Sequence, residues 1–261
     1  MAEECAADFV RLSGVRTAVL SAVVAGTGRT RDLVDDIGAS ESAVYEAVDA
    51  LAERGVIEQR NGVWEPTGVG TVVADLLERQ RHTTDVLDTA REYWQHHDTS
   101  VLPQNFRERL GELRGFEVVE GTDADPGRAV RAGFDDVRTT DRLDAVAAVY
   151  HDQVAEVLSE RDAEMRFVLA RCLVDEMVAN PPPTSGPSDA PTRTTAVDFS
   201  VTVTDRRVYL SLPRPDGTPD IQRQVVAEGD RAIEWGRDLF EHCWETAVPV
   251  TEAAGADWPP G

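Results

Sequence analysis

Lysine is missing from this chain. All 26 basic residues are arginine, against 48 aspartates and glutamates, for a net charge of −22. Cysteine is nearly as scarce. Cys5, Cys172 and Cys243 are scattered and form no CxxC pair, so neither a structural zinc site nor a disulfide framework is expected. Long apolar runs are absent too: nothing approaches the roughly 18 uninterrupted residues of a membrane helix. The acidic start Met1-Ala2-Glu3-Glu4-Cys5 lacks the basic segment of a signal peptide, and a cytoplasmic location away from the membrane is expected. No GxSxG, Walker loop or paired-glycine dinucleotide turn occurs, and no bound cofactor is expected. What remains is 261 residues, 41% of them hydrophobic, which suffices for two domains of ordinary size.

The most organised stretch runs from Ser40 to Gly70. Ser40 is placed to cap a helix in which Val44, Ala47, Val48 and Leu51 recur at i, i+3, i+4 and i+7. Gly55 is placed to stop it. Two strand-like runs then flank Asn61-Gly62, the strongest two-residue hairpin signal. Upstream, Thr30–Ile37 reads as a short helix with Leu33, Val34 and Ile37 inward, and Gly38-Ala39 as the turn between the two. Gly14–Ala25 reads as a first helix. Helix, helix, turn, helix and hairpin is the layout of a winged helix-turn-helix, and this stretch resembles the DNA-binding domain of archaeal and bacterial winged-helix transcription regulators.

Strong acidity counts against nucleic-acid binding, because phosphate contacts supply most non-specific affinity. Acid-rich, lysine-poor chains, however, look like haloarchaeal cytosolic proteins. In molar salt the Debye length is only ~3 Å, so long-range repulsion from DNA is screened and short-range contacts decide. The DNA-facing candidates are Arg29 and Arg31 beside the second helix, Ser40, Ser42, Tyr45 and Glu46 on the third, and Arg60 and Asn61 at the wing tip. The plainer reading of Arg29 and Arg31 is two solvated side chains on a first turn. Asp49 reads as solvated surface.

From Gly68 to about His97 a helix is expected, interrupted at Thr83-Thr84, with an apolar stripe through Val69, Val72, Val73, Leu76 and Leu77 for dimer or domain docking or for packing on its own domain. His96-His97 diverge by about 100° on a helix, so a polar helix end is preferred to a metal site. Beyond Asp98, strands near 116–119, 143–150, 165–169, 197–203, 208–212 and 225–228 alternate with helices, which suggests an α/β layer. Residues 180–195, rich in proline, read as loop, and Asp230 is placed to cap a closing helix.

Arg207–Pro213, Asp216-Gly217 and Ala232–Glu241 resemble the effector domain of archaeal winged-helix regulators, including the family regulating filamentation and methanogenesis and the sugar-responsive TrmB-like regulators. The resemblance implies an α/β effector domain similar to the phospholipase D fold without its catalysis. That catalysis uses a histidine with a lysine two residues on, which a lysine-free chain cannot supply. The expected fold is therefore two-domain, α+β or α/β: a winged helix-turn-helix with connecting helix over 1–97, a phospholipase-D-like effector domain over 98–250, and a flexible tail over 251–261. The expected protein is a non-enzymatic, homodimeric, DNA-binding regulator of a halophilic archaeon, with double-stranded DNA as partner and a second domain that either senses a small-molecule effector or mediates assembly. A winged helix that docks proteins is the alternative, and a phosphodiesterase-like enzyme a remote one. Arg142, Tyr150, Asp198 and Arg206 are as compatible with a pocket as with the surface and are not assigned.

Overall fold

The computed structural model describes residues 5–159, 163–182 and 190–254. They fall into two compact units, Met1–Arg81 and His82–Gly261.

In the first unit α1 (Ala6–Arg11), α2 (Gly14–Val24), α3 (Thr30–Asp36) and α4 (Glu41–Glu53) enclose one core. Ser13 and Ser40 cap α2 and α4, each hydroxyl accepting a first-turn N–H at 3.3 and 3.4 Å. Val44, Ala47, Val48 and Leu51 are buried as their spacing predicts, packed with Val10, Val19, Leu20 and Leu33. Each buried valine or leucine contributes about 1.5–3 kcal/mol. β1 (Ile57–Arg60) and β2 (Val63–Pro66) form the hairpin. Asn61 and Gly62 both take positive φ, 51° and 80°, as a two-residue hairpin turn matching the strand twist requires. β2 is fastened to the body where the Trp64 N–H donates to the Gly28 carbonyl at 2.7 Å and its indole N–H to the Thr30 hydroxyl at 3.0 Å.

α5 runs unbroken from Gly68 to Thr89, so Thr83-Thr84 does not interrupt it. Two β-branched residues cost an established helix only a few tenths of a kcal/mol each. The break comes at Ala90, before α6 (Arg91–His96). The expected domain boundary near residue 97 also moves. Val86, Tyr93 and Trp94 pack with Leu102, Phe106 and Phe116, so the second unit begins at His82.

The second unit is built on an eight-stranded mixed sheet, order β10-β6-β5-β4-β7-β8-β9-β3. Its strands are β3 (Glu117–Glu120), β4 (Arg142–Ala147), β5 (Glu164–Ala170), β6 (Thr192–Thr195), β7 (Ser200–Val203), β8 (Arg207–Ser211), β9 (Arg223–Glu228) and β10 (Val248–Pro249). β4, β5 and β6 are parallel, linked through α10 (Asp152–Ser159) and α11 (Arg171–Ala179); the other pairs are antiparallel. α7 (Gln104–Glu108), α8 (Arg128–Arg131), α9 (Phe134–Thr139), α12 (Asp230–Thr246) and α13 (Val250–Ala254) complete the unit.

Strand alternation assigns the two faces. Val146, Val168, Val201, Val203, Val208, Leu210, Val225 and Ala227 meet α12 through Trp235, Leu239 and Phe240. On the same face Arg166 donates to Asp144 at 2.7 Å and Glu241 at 2.6 Å and lies over the Phe240 ring, fixing α12 to the sheet. The opposite face carries Leu143, Ala145 and Phe167 under α9 and α10.

Three local expectations change. Thr192–Thr195, inside the stretch read as loop, pairs with both β5 and β10; the prolines upstream masked a β-branched run. Residues 183–189 of that stretch lie outside the described residues. Gly229, at φ 93°, holds the cap position of α12, so Asp230 is its first residue and caps nothing with its side chain. In the stretch read as a tail, 251–254 belong to α13, whose first residue, Val250, is buried, and 255–261 lie outside the described residues.

Candidate functional site

Each unit presents one surface with chemistry to offer. In the first, α4 buries its apolar face and turns Ser42, Tyr45, Glu46 and Asp49 outward; Tyr45 is 46% exposed. Ser40 is exposed, but its hydroxyl is already committed to the cap, with Ser42 Oγ 3.3 Å away. Arg29, at the N-cap position of α3, and Arg31, in its first turn, are exposed and make no ion pair among the described residues. Arg60 is exposed at the wing tip next to Asn61, yet it is held by two acids of the same hairpin, Glu58 at 2.6 Å and Glu65 at 3.9 Å. The eight sequence candidates therefore all lie in the first unit and on its surface, while the wing arginine is partly neutralised where it stands.

In the second unit the structure brings together groups that the sequence reading did not. A cavity of about 230 Å³ opens on the sheet face opposite α12. Phe134, Val154, Leu158, Phe167, Leu173 and Met177 give it an apolar wall; Ser200, Thr202, Ser211 and Gln224, from neighbouring strands, give it a polar one. Of the four unassigned candidates, Tyr150 and Asp198 line it. Arg142 instead pairs with Asp144 at 3.0 Å, and Arg206 lies near Asp136 at 4.0 Å. The legible signal was the alternation Ser200-Val201-Thr202-Val203: small hydroxyls on the face opposite a valine row.

Two buried polar clusters flank this region. The Tyr209 hydroxyl donates to Asp136 at 2.6 Å, and burial, followed by this carboxylate, pushes its pKa up. His97, completely buried, sits with Nδ1 2.7 Å from the Tyr93 carbonyl and Nε2 3.2 Å from Asp220. It is thus a partnered structural residue, diverging from exposed His96. No group of three or more metal-ligating side chains occurs among the described residues, and no helix there is long and apolar enough to cross a membrane.

Comparison with known proteins divides along the same lines. Residues 5–89 match the family model of the HVO_A0261 N-terminal domain, and residues 126–246 that of the methanogenesis regulatory protein FilR1, middle domain. The methanogenesis regulatory protein FilR1 of Methanothrix harundinacea (strain 6Ac) is 23% identical over 226 residues, covering 81% of this chain; the chain spans about half the length, 50%, of that curated relative. Among solved structures, TrmBL2, described as an archaeal chromatin protein, aligns over 92% of this chain and 94% of its own at 12% identity, with a TM-score of 0.38. The O-methyltransferase NcsB1 of neocarzinostatin biosynthesis aligns over 75% and 68% at 13% identity, with a TM-score of 0.25. TM-scores this low do not establish a shared fold. The chain is thus similar to FilR1, with residues 5–89 resembling the HVO_A0261 N-terminal domain and residues 126–246 the FilR1 middle domain.

Proposed function

We propose that the chain is a DNA-binding transcription regulator whose first unit reads duplex DNA through α4 and the wing, and whose second unit is a sensing domain without catalysis. One observation carries the DNA half: a capped helix with an outward polar face, preceded by α3 and followed by a hairpin fastened at Gly28 and Thr30. That is the geometry in which a second helix enters the major groove while the wing reaches the backbone. The relationship to a methanogenesis regulatory protein supports the same reading. For the second unit, a mixed sheet in a lysine-free chain fits a phospholipase-D-like layer that has lost the His and Lys of its chemistry.

Val69, Val72 and Leu76 are 51%, 58% and 45% exposed, at i, i+3 and i+7 on α5. We read this stripe as the contact of a homodimer, the form that binds two half-sites. The acid-rich, lysine-free composition supports a halophilic, cytoplasmic setting.

The test is selection of random duplexes in molar KCl, with the Arg29/Arg31/Arg60 triple-alanine variant as control. Enrichment of a palindromic site, lost in the variant, is the expected result. The acids around Arg60 favour one competitor, a winged helix that docks a protein; it predicts no enrichment at any salt concentration and no effect of the triple substitution on partner retention.

A further inference from the structure

We propose that the cavity of the second unit binds a small uncharged molecule, with a ring-sized apolar body and one hydrogen-bonding head placed against Thr202. This deepens the sensing half of the reading above and is independent of the DNA half.

Charge selects the class. In a chain with 26 arginines, no arginine and no glutamate lines the cavity among the described residues. Of the two aspartates that do, Asp198 is exposed. Asp220 is already committed: it accepts the Gln222 N–H at 2.9 Å and lies 3.2 Å from His97 and 3.5 Å from Arg214. Half-buried His151 has its pKa lowered, mainly by burial, and so adds no cation at neutral pH. A carboxylate or phosphate would leave water with nothing to replace it, and an ammonium would find only a solvated carboxylate; both are costly.

Shape and hydrogen bonding complete the choice. An apolar cavity of roughly 150 Å³ holds benzene, so about 230 Å³ takes a ring with a short arm, on the order of ten non-hydrogen atoms. Thr202 stands between Ala145 and Tyr209 in the register of three adjacent strands. The neighbouring hydroxyls each already accept one bond: Ser200 Oγ from the Ala148 N–H at 3.0 Å, and Ser211 Oγ from the Gln224 amide at 3.4 Å. The Thr202 hydroxyl has no protein partner among the described residues, which leaves it for the head of a ligand.

Three probes of matched size decide the question: 2-phenylethanol, 2-phenylethylammonium and phenylacetate, titrated into the full chain in molar KCl and followed by ligand-detected NMR, with no DNA present. The alcohol is expected to bind at least about tenfold more tightly than either charged probe, as an uncompensated charge demands. Thr202→Val, which keeps the shape and removes the hydroxyl, should weaken the alcohol several-fold. Ala147→Phe, which fills the cavity from the end of β4, should abolish binding while circular dichroism stays native. Preference for a charged probe, alcohol binding indifferent to both variants, or no binding of any probe overturns the proposal. Because no outcome involves DNA, failure here is distinct from failure of the regulator reading.

Discussion

The buried imidazole of His97 lies between two oxygens, and a carbonyl can only accept. Nδ1 faces the Tyr93 carbonyl and Nε2 the Asp220 carboxylate, while the ring stacks on Tyr93 at 3.8 Å. Burial alone would raise the Asp220 pKa; the Gln222 N–H, Arg214 and His97 outweigh it and hold the carboxyl below its ordinary value. A depressed folded-state pKa contributes stability that is present above the unfolded value, about 3.9, and is lost as pH falls through the folded one. Asp220→Asn is therefore expected to cost about 1–3 kcal/mol at neutral pH. The gap to the parent should narrow steadily below about pH 4, as read by denaturant unfolding across pH. Gly28 is a second residue with no freedom. A β-carbon there would fall 2.1 Å from the Val63 side chain and 2.9 Å from the Trp64 carbonyl oxygen. Gly28→Ala should lower the stability of the first unit by about 1–3 kcal/mol through enforced movement of the hairpin, visible as a lower midpoint in thermal unfolding.

At the scale of elements, local signals were readable where one residue type fixes one conformation. Ser40, the i, i+3, i+4, i+7 valines and leucine of α4, and Asn61-Gly62 each specify their geometry within a few residues, and α2, α3, α4 and the wing follow the sequence closely. Elements set by distant partners were less legible. Thr192–Thr195 becomes a strand because β5 and β10 offer ladders on both sides. Helix α5 continues through Thr83-Thr84 while the backbone at Gly111 lies against His82 and Thr83. The DNA-facing candidates were legible as a surface, since an outward helix face follows from the inward one. The cavity was not, because its wall draws on strands and helices spread from Ala129 to Gln224. The cap itself is testable: Ser40→Ala should cost about 1 kcal/mol, and the loss should appear in unfolding midpoints even where DNA affinity is unchanged.

For the whole molecule the decisive quantity is −22 charges in 261 residues. Self-repulsion of that size opposes compaction and fades as salt shortens its range to ~3 Å at 1 M. The melting temperature should therefore climb between 0.1 M and 2 M KCl, with most of the rise in the lower part of the range; a flat or falling curve would contradict it. The wing shows the same competition locally. Glu58 and Glu65 hold the arginine that DNA would need. Replacing both with glutamine should tighten duplex binding and steepen its salt dependence by about one counterion, because Arg60 then becomes available to one phosphate. Filter binding or anisotropy at several KCl concentrations measures both.

The sheet of the second unit ends, on one side, in a strand of two residues whose second is Pro249, and on the other in Glu117–Glu120, with an exposed carboxylate at each extremity. Both margins are short, two residues in β10 and four in β3. A proline cannot donate to a new ladder, and two glutamates repel a like-charged neighbour. Short, charged or proline-bearing margins of this kind blunt the edges of a wide, valine-rich sheet against strand addition.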